Sequence, residues 1–186
     1  MSKRYYACVY GGANDNISAS NKEKTKLLGE LISKNDFSLV YGAGATGCMG
    51  AVADGVKNKD GYIMGITPKF MSTFEDIYPC DNTVFVDTMA ERKTLMEKHA
   101  DIFFITPGGV GTMDEFFQVV TLKYLERIDA PIIVVNTNGF YDALLKLMDS
   151  LIDGGAVKKS IYDLFDVIDD VKEEEITKIL EKVKNG

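Results

Sequence analysis

The chain has 186 residues, of which 46% are apolar, so it can bury one substantial core but leaves little room for a separate substrate domain. We expect a single domain over residues 1–186. The net charge of −7, from 21 Lys and Arg against 28 Asp and Glu, argues against broad binding of nucleic acid or anionic membranes, because both need a basic surface. An apolar leader and a membrane-length apolar run are both lacking, and the sequence therefore predicts a cytoplasmic protein.

Short apolar, β-prone runs alternate with segments of helical spacing along most of the chain. In chain order, the predicted strands are Tyr5–Tyr10 and residues 38–41, 62–67, 83–86, 101–105, 131–136 and, as the weakest, 164–168. The predicted helices are residues 20–34, Gly47–Lys57, Met89–His99, and residues 111–125, 141–152 and 169–184. This alternation predicts a doubly wound α/β fold, with a mostly parallel sheet covered by helices on both faces.

Glycine-rich turns follow three of the predicted strands. Gly11 and Gly12 follow the first strand, residues 42–47 (GAGATG) follow the second, and residues 108–111 (GGVG) follow the fifth. Ligands of doubly wound sheets bind beyond the carboxyl ends of the strands. We therefore expect the three turns to line one edge of the sheet and to form a crevice there.

The segment PGGVGTMDE, residues 107–115, is the most informative of these turns. Its glycines let the backbone turn sharply and approach a ligand, and the helix that follows directs unpaired N–H groups toward the same point. Such a place suits a phosphate. Thr112 and Glu115 also match the capping-box spacing, which leaves a second interpretation in which Glu115 merely closes the first turn of its own helix.

A phosphate at this turn would bring Glu115 within reach of the sugar of a nucleoside 5′-monophosphate. Cleavage of the glycosidic bond builds positive charge at the anomeric carbon, and a carboxylate stabilises that charge or orients the attacking water. The neighbouring Asp114 diverges from Glu115 on a helix, so the two do not form a glycosidase carboxylate pair.

Arg92 is the second candidate for chemistry, because it lies one turn into a helix that starts at the same predicted edge. The spacing of Thr88 and Glu91 predicts a capping box at that start. The guanidinium fork of Arg92 suits recognition of a phosphate or of the leaving base. The plainer interpretation is an exposed helix face, on which Lys93 pairs with Glu97 at i,i+4.

Metal and thiol chemistry find little support in the sequence. Cys8, Cys48 and Cys80 are odd in number and far apart, which argues against a disulfide framework or a zinc site. The single histidine, His99, falls near a predicted helix end, where a contact with the helix dipole is commoner than catalysis.

The segments PGGVGTMDE, MAERK (89–93) and GAGATGCMG (42–50) together resemble the Lonely Guy (LOG) family of cytokinin riboside 5′-monophosphate phosphoribohydrolases, often labelled lysine decarboxylases. The resemblance runs from Tyr5 to Val157 and includes ITPK (66–69) and NGFY (138–141). It implies a Rossmann-like fold, no cofactor or metal, a homodimer with its active site near the interface, and Arg92 with Glu115 as the catalytic pair. The substrate contacts predicted with it are Gly12, Gly42, Gly44, Met89, Lys93, Gly108, Gly109, Val110, Gly111, Thr112 and Thr121.

Two departures from the family pattern concern the substrate pocket. Residues 121–128 read TLKYLERI, where the family often has T-W-x-Q-L-G-x-H, so the base pocket is expected to differ. Residues 11–14 read GGAN in place of a Gly-Ser-Ser type sequence, which removes a hydroxyl contact. The helix at 111–125 is apolar on nearly every side, as expected for a dimer interface or for a central helix of a monomer.

Other functions fit part of the sequence. Gly42, Gly44 and Gly47 satisfy G-x-G-x-x-G, but the acid that a dinucleotide would need is Asp60, which falls in a charged turn. A carrier or sensor could use the same crevice without hydrolysis, although a carboxylate beside the phosphate favours an enzyme. A decarboxylase using pyridoxal phosphate needs a Schiff-base lysine and a partner for the ring nitrogen, and the sequence identifies neither. Adenine and N6-prenylated adenine both remain open as the base.

Overall fold

The computed structural model describes residues 3–186, which form an α/β fold around one seven-stranded, fully parallel sheet. The strand order is β4-β3-β2-β1-β5-β6-β7. The strands are β1 Tyr5–Tyr10, β2 Phe37–Tyr41, β3 Ile63–Pro68, β4 Asn82–Val86, β5 Ile102–Ile105, β6 Ile132–Val135 and β7 Asp166–Ile168. The prediction of a doubly wound parallel sheet is confirmed, and each predicted strand corresponds to an observed one.

Six α-helices cover the two faces of the sheet in the described part of the chain. They are α1 Ala19–Lys34, α2 Gly47–Lys57, α3 Met89–His99, α4 Val110–Tyr124, α5 Asp142–Asp153 and α6 Glu173–Asn185. Short 3₁₀ helices, which the sequence did not predict, span Lys69–Thr73, Thr137–Gly139 and Lys159–Leu164. None of the α-helices has the length and apolar character that a membrane span requires, within residues 3–186.

Two hydrophobic layers lie on opposite faces of the sheet. Helices α1, α2 and α6 pack on one face, with Leu28, Val52 and Ile176 among their buried residues. Helices α3, α4 and α5 pack on the other. Successive residues of β1 alternate between the two layers, so that Val9 joins the first and Tyr10 the second. This alternation is the reason why the strands read as continuous apolar runs.

The last helix starts later than its sequence pattern predicts. It begins at Glu173 instead of residue 169, with Lys172 as the N-cap. The carboxylate of Asp170 accepts hydrogen bonds from Lys24 at 2.8 Å and from the Val171 N–H at 2.8 Å. These contacts hold the segment before the helix against α1, which is information that the periodicity of apolar residues does not contain.

The strand order reverses beside β1, and such a reversal is where ligands bind in doubly wound sheets. From β1 the chain proceeds outward to β2, β3 and β4, and then returns to add β5 on the other side of β1. Residues Tyr10 and Ile105 pair at the carboxyl ends of β1 and β5, so the loops that follow them diverge to opposite faces. The glycine turns after β1 and β5 meet at this switch point.

Helices α1 and α2 approach each other closely enough to require glycine at their contact. A Cβ at Gly29 would lie 2.2 Å from the Val52 carbonyl oxygen, and one at Gly55 would lie 2.0 Å from the Lys26 carbonyl oxygen. Both helices begin at the edge of the sheet where the glycine turns lie. Their close packing therefore fixes one wall of the crevice.

Candidate active site

A cleft of about 740 Å³ opens at the switch point between β1 and β5. Its base contains Arg92 and Glu115, beside the turn that begins at Gly108. One wall is polar, and the mouth is mainly apolar. The wall includes Asn14, Asn16, Ser18 and Asn21, and the mouth includes the more exposed Met71, Met89 and Phe140, whereas Met49 lines the cleft from a buried position.

The turn after β5 is built for close approach of a ligand. A Cβ at Gly108 would lie 2.1 Å from the Thr112 hydroxyl oxygen, so this position requires glycine to fold. A Cβ at Gly109 or Gly111 would meet no atom within 4 Å, and these two glycines therefore face open space. Helix α4 has Gly109 as its N-cap and receives no capping hydrogen bond from a side chain. Its first N–H groups are thus available to an anion.

Arg92 is buried, and the backbone around it fixes its direction. Its side chain is 8% exposed. The Nε–H donates to the Ile66 carbonyl oxygen at 3.2 Å, and Nη2 donates to the Gly42 carbonyl oxygen at 3.3 Å. A Cβ at Gly42 would lie 1.5 Å from Nη2. The second glycine turn therefore makes room for the guanidinium, and the interpretation of Arg92 as part of an exposed helix face is wrong.

Glu115 faces Arg92 across the base of the cleft. Its Oε1 lies 3.8 Å from Arg92 Nη1, which is close enough for attraction but too long for a hydrogen bond. Burial raises the pKa of Glu115 to about 7, although the positive charge of Arg92 acts in the opposite direction. A carboxyl group that titrates near neutral pH in a cleft is typical of a functional site.

The capping-box prediction for Thr112 and Glu115 is wrong. Helix α4 begins at Val110, two residues before Thr112, so Thr112 is already inside the first turn and cannot act as the cap. The capping box predicted at Thr88 and Glu91 is confirmed. The Glu91 N–H donates to the Thr88 hydroxyl at 3.1 Å, and the Thr88 N–H donates to the Glu91 carboxylate at 3.2 Å.

Lys93 pairs with α4 instead of with its own helix. Its Nζ donates to the Asp114 carboxylate at 2.7 Å, whereas Glu97 accepts a hydrogen bond from Gln118. The predicted pair of Lys93 with Glu97 is therefore wrong. The ammonium of Lys93 offsets the charge of Asp114, which would otherwise oppose an anion in the cleft.

The predicted substrate contacts are only partly assembled in one chain. Gly12, Met89, Gly108, Gly109, Gly111 and Thr112 line the cleft, and Gly42 supports Arg92 from behind. Gly44 packs against Met49, and Val110 projects outward with 88% of its surface exposed. Thr121 donates to the Phe117 carbonyl of its own helix and lines a separate cavity with residues 155–158 and 160–161.

The cleft also contains residues that the sequence interpretation missed. Glu75 lines it from the segment after the first 3₁₀ helix, and burial raises the pKa of this carboxyl group. The segment folds back over the second glycine turn, because the Ala45 N–H donates to Asp76 and the Tyr78 N–H donates to Ala43. It has neither a motif nor a helical period, so only the tertiary structure reveals its place.

Comparison with known proteins gives a consistent result. A family model described as possible lysine decarboxylase matches residues 49–179. A cytokinin riboside 5′-monophosphate phosphoribohydrolase of Mycobacterium tuberculosis is 36% identical over 148 residues, which are 78% of this chain and 79% of that protein. The cytokinin riboside 5′-monophosphate phosphoribohydrolase LOG1 of Arabidopsis thaliana is 35% identical over 158 residues, which are 84% of this chain and 74% of that protein.

Solved structures of other proteins have the same fold. The molybdenum cofactor binding protein of Rippkaea orientalis superposes with a TM-score of 0.74 at 14% identity, over 99% of each chain. The molybdenum cofactor carrier protein of Chlamydomonas reinhardtii gives a TM-score of 0.74 at 17% identity, over 99% of this chain and 100% of that one. At identities this low, the superposition shows a shared fold and gives no evidence about function.

The fold and the cleft define an α/β protein with a cleft at the carboxyl edge of a parallel sheet, the usual place of a ligand in such folds. The family match and the relatives show further that this chain belongs to the LOG family, as its motifs predict. The dinucleotide interpretation fails on geometry. Asp60 lies in an exposed turn before β3, at the opposite edge of the sheet from the cleft.

We predict that Glu115→Gln is more stable than the wild type at pH 8 but not at pH 4. The pKa of Glu115 is about 7 in the folded state, above the ordinary value of 4.5. The folded protein therefore loses stability relative to the unfolded chain as the pH rises from 4.5 through about 7, because the buried carboxyl group must then ionise. Gln stays neutral, so it should gain roughly 1–3 kcal/mol in free energy of unfolding at pH 8. Urea unfolding at both pH values measures this gain.

The exposed carboxylate of Glu181 on α6 supplies a matched control. Glu181→Gln should show no such gain on going from pH 4 to pH 8. An equal difference between Glu115→Gln and wild type at the two pH values would mean that the pKa of Glu115 is not raised.

Proposed function

We propose that this protein hydrolyses the N-glycosidic bond of an adenine-type nucleoside 5′-monophosphate, releasing the free base and ribose 5-phosphate. The observation that carries the proposal is the buried pair of Arg92 and Glu115 beside an open glycine turn at a helix N-terminus. Membership of the LOG family makes the chain an N-glycosidic hydrolase by class. The identity of the nucleotide is our inference.

The phosphate fits the turn at residues 108–112. Open space beside Gly109 and Gly111 admits an anion, and the N–H groups of the first turn of α4 point toward it. One such charge interaction contributes about 0.3–1 kcal/mol, and about 2 kcal/mol when partly buried. These contacts hold the nucleotide and direct its sugar toward Glu115, but they do not themselves promote cleavage of the glycosidic bond.

Glu115 and Arg92 divide the chemistry between them. In its ionised form, Glu115 stabilises the positive charge that develops on the sugar and orients the water that attacks the anomeric carbon. Arg92 is held by the Ile66 and Gly42 carbonyls, so the rest of its fork is free to donate to the departing base or to the phosphate. Water adds to the sugar, and the base leaves with a proton.

The mouth of the cleft favours a base that carries an apolar substituent. Met71, Met89 and Phe140 lie there, and methionine side chains adapt their shape to an apolar ligand. Relatives are named for cytokinin riboside 5′-monophosphates, which agrees with this preference. We therefore propose an N6-prenylated adenine nucleotide as the better substrate and AMP as the poorer one.

Glu115→Gln should lower kcat by roughly 10²–10³-fold while the protein still binds nucleotide, because Gln keeps the shape but loses the charge. The measurement is chromatographic detection of free base from AMP and from N6-isopentenyl-AMP. In the wild type, kcat/KM should fall as the pH drops below about 7, since Glu115 then becomes protonated.

Glu97→Gln is the matched control, because Glu97 is a half-buried carboxylate that contacts Gln118 outside the cleft. It should keep wild-type turnover. An unchanged kcat in Glu115→Gln would remove Glu115 from the chemistry. Absence of base release by the wild type, with AMP still raising the Tm, would instead indicate a nucleotide carrier or sensor.

We further propose that the protein works as a cytoplasmic homodimer. Large apolar side chains lie exposed at both ends of α4 and at the start of α3, among them Val110, Tyr124 and Leu125, of which 88%, 63% and 54% of the surface is exposed. Burying such side chains between two copies is favourable, at roughly 25 cal/mol per Å². A second copy on this face would also explain a substrate role for Thr121, which is outside the cleft of its own chain.

Tyr124→Glu should convert the dimer to a monomer, because the new charge would be buried without a partner. Light scattering after size exclusion measures the mass. Leu147→Glu, the same kind of change at an exposed apolar residue of α5, serves as the control and should keep the dimer mass. A wild type that elutes as a monomer at all concentrations would contradict the proposal.

A further inference from the structure

The loop after β6 carries a buried tyrosine that the proposed chemistry does not use. Tyr141 is 3% exposed, and its hydroxyl donates to the Thr106 carbonyl oxygen at 2.6 Å. Its own backbone N–H donates to the Asn136 side-chain oxygen at 2.6 Å. Asn136 in turn donates to Asp142 at 2.9 Å. The tyrosine is therefore anchored at the backbone and reaches across to the end of β5.

Thr106 follows β5 and is separated from the glycine turn at residues 108–111 only by Pro107, so the contacts that hold Thr106 also fix the direction of the turn. The Thr106 N–H donates to the Tyr10 carbonyl at 2.8 Å, and the Gly12 N–H donates to the Pro107 carbonyl at 3.1 Å. Both of these bonds use backbone groups and tolerate many side chains. Two side-chain hydroxyls add to them: Thr106 donates to the Tyr10 carbonyl at 3.0 Å, and Tyr141, from the loop after β6, donates to the Thr106 carbonyl itself.

We propose that Tyr141 is a positioning residue, whose hydroxyl fixes the Thr106 carbonyl and thereby sets the glycine turn at the distance that a phosphate requires. The inference rests on the proposed function, since it assigns the turn to the phosphate of a nucleotide. Tyr141 itself touches neither the reacting atoms nor Glu115.

The Tyr141 hydroxyl remains a hydrogen-bond donor at every pH at which the site is expected to work. Burial raises the pKa of Tyr141, so the phenol stays protonated throughout the pH range in which Glu115 titrates. The phenol oxygen is therefore in contact with the backbone directly before Pro107, where the chain turns from strand to helix.

The neighbouring residues connect this support to the wall of the cleft. Phe140 lies in the cleft, and its ring packs edge to face on Tyr141 with 5.0 Å between centroids. Asn138 donates to the Asn21 side-chain oxygen at 2.9 Å, which ties the loop to the first turn of α1. The loop thus contacts both the end of β5, directly before the glycine turn, and the polar wall of the cleft.

Tyr141→Phe removes the hydroxyl and keeps the ring, which leaves the buried Thr106 carbonyl without this donor. We expect the affinity for ribose 5-phosphate to fall by about tenfold and KM for AMP to rise by a similar factor, the effect of one lost hydrogen bond to a buried acceptor. The affinity for adenosine, which lacks the phosphate, should be unchanged. Titration calorimetry measures the two affinities independently of turnover.

Tyr162→Phe is the matched control, because the Tyr162 hydroxyl also donates to a backbone carbonyl, that of Leu145 at 3.1 Å, but away from the cleft. It should leave both affinities unchanged. The acid limb of the pH profile should stay in place in Tyr141→Phe, since the variant does not touch Glu115.

An unchanged affinity for ribose 5-phosphate in Tyr141→Phe would overturn the inference. An equal loss for adenosine would also overturn it, because the damage would then be general. If the wild type binds ribose 5-phosphate but releases no base, the proposed hydrolase fails while calorimetry still tests Tyr141. A wild type that binds neither ribose 5-phosphate nor AMP would contradict both.

Discussion

Burial of the Glu115 carboxyl group beside Arg92 is the constraint on which the site depends. A carboxylate loses hydration when it is buried, and here a guanidinium 3.8 Å away offsets only part of that loss. The result is a pKa of about 7, which leaves the group able to change charge at neutral pH. Arg92 is held in place because Gly42 leaves room for its guanidinium and the Ile66 carbonyl accepts a hydrogen bond from it.

In the proposed mechanism, binding and chemistry belong to different parts of the cleft. The glycine turn at residues 108–111 offers N–H groups and open space, so under the proposed function it would hold a nucleotide equally in its ground and transition states. The proposed role of Glu115 is to act on charge that develops only as the glycosidic bond breaks, and such an interaction is the kind that raises kcat. Lys93 limits the interference of Asp114 with an anion at the entrance.

The sequence predicted the parts of the molecule that local patterns encode. Alternating apolar runs gave the parallel sheet, and glycine turns after strands gave the edge at which the cleft lies. It failed where the partner is distant in the chain: Lys93 bonds to Asp114 on another helix, and Glu75 reaches the cleft from a segment without periodicity. The i,i+4 rule describes one helix and has no information about its neighbours.

Site-specific ¹³C NMR titration of the Glu115 carboxyl carbon, assigned with Glu115→Gln, tests the central claim most directly. We predict a midpoint near pH 7, because burial outweighs the attraction of Arg92, and a matching midpoint on the acid limb of kcat/KM for nucleotide hydrolysis. A midpoint near the ordinary 4.5 would show that the carboxylate is hydrated. The account of a buried, chemically poised pair would then be wrong.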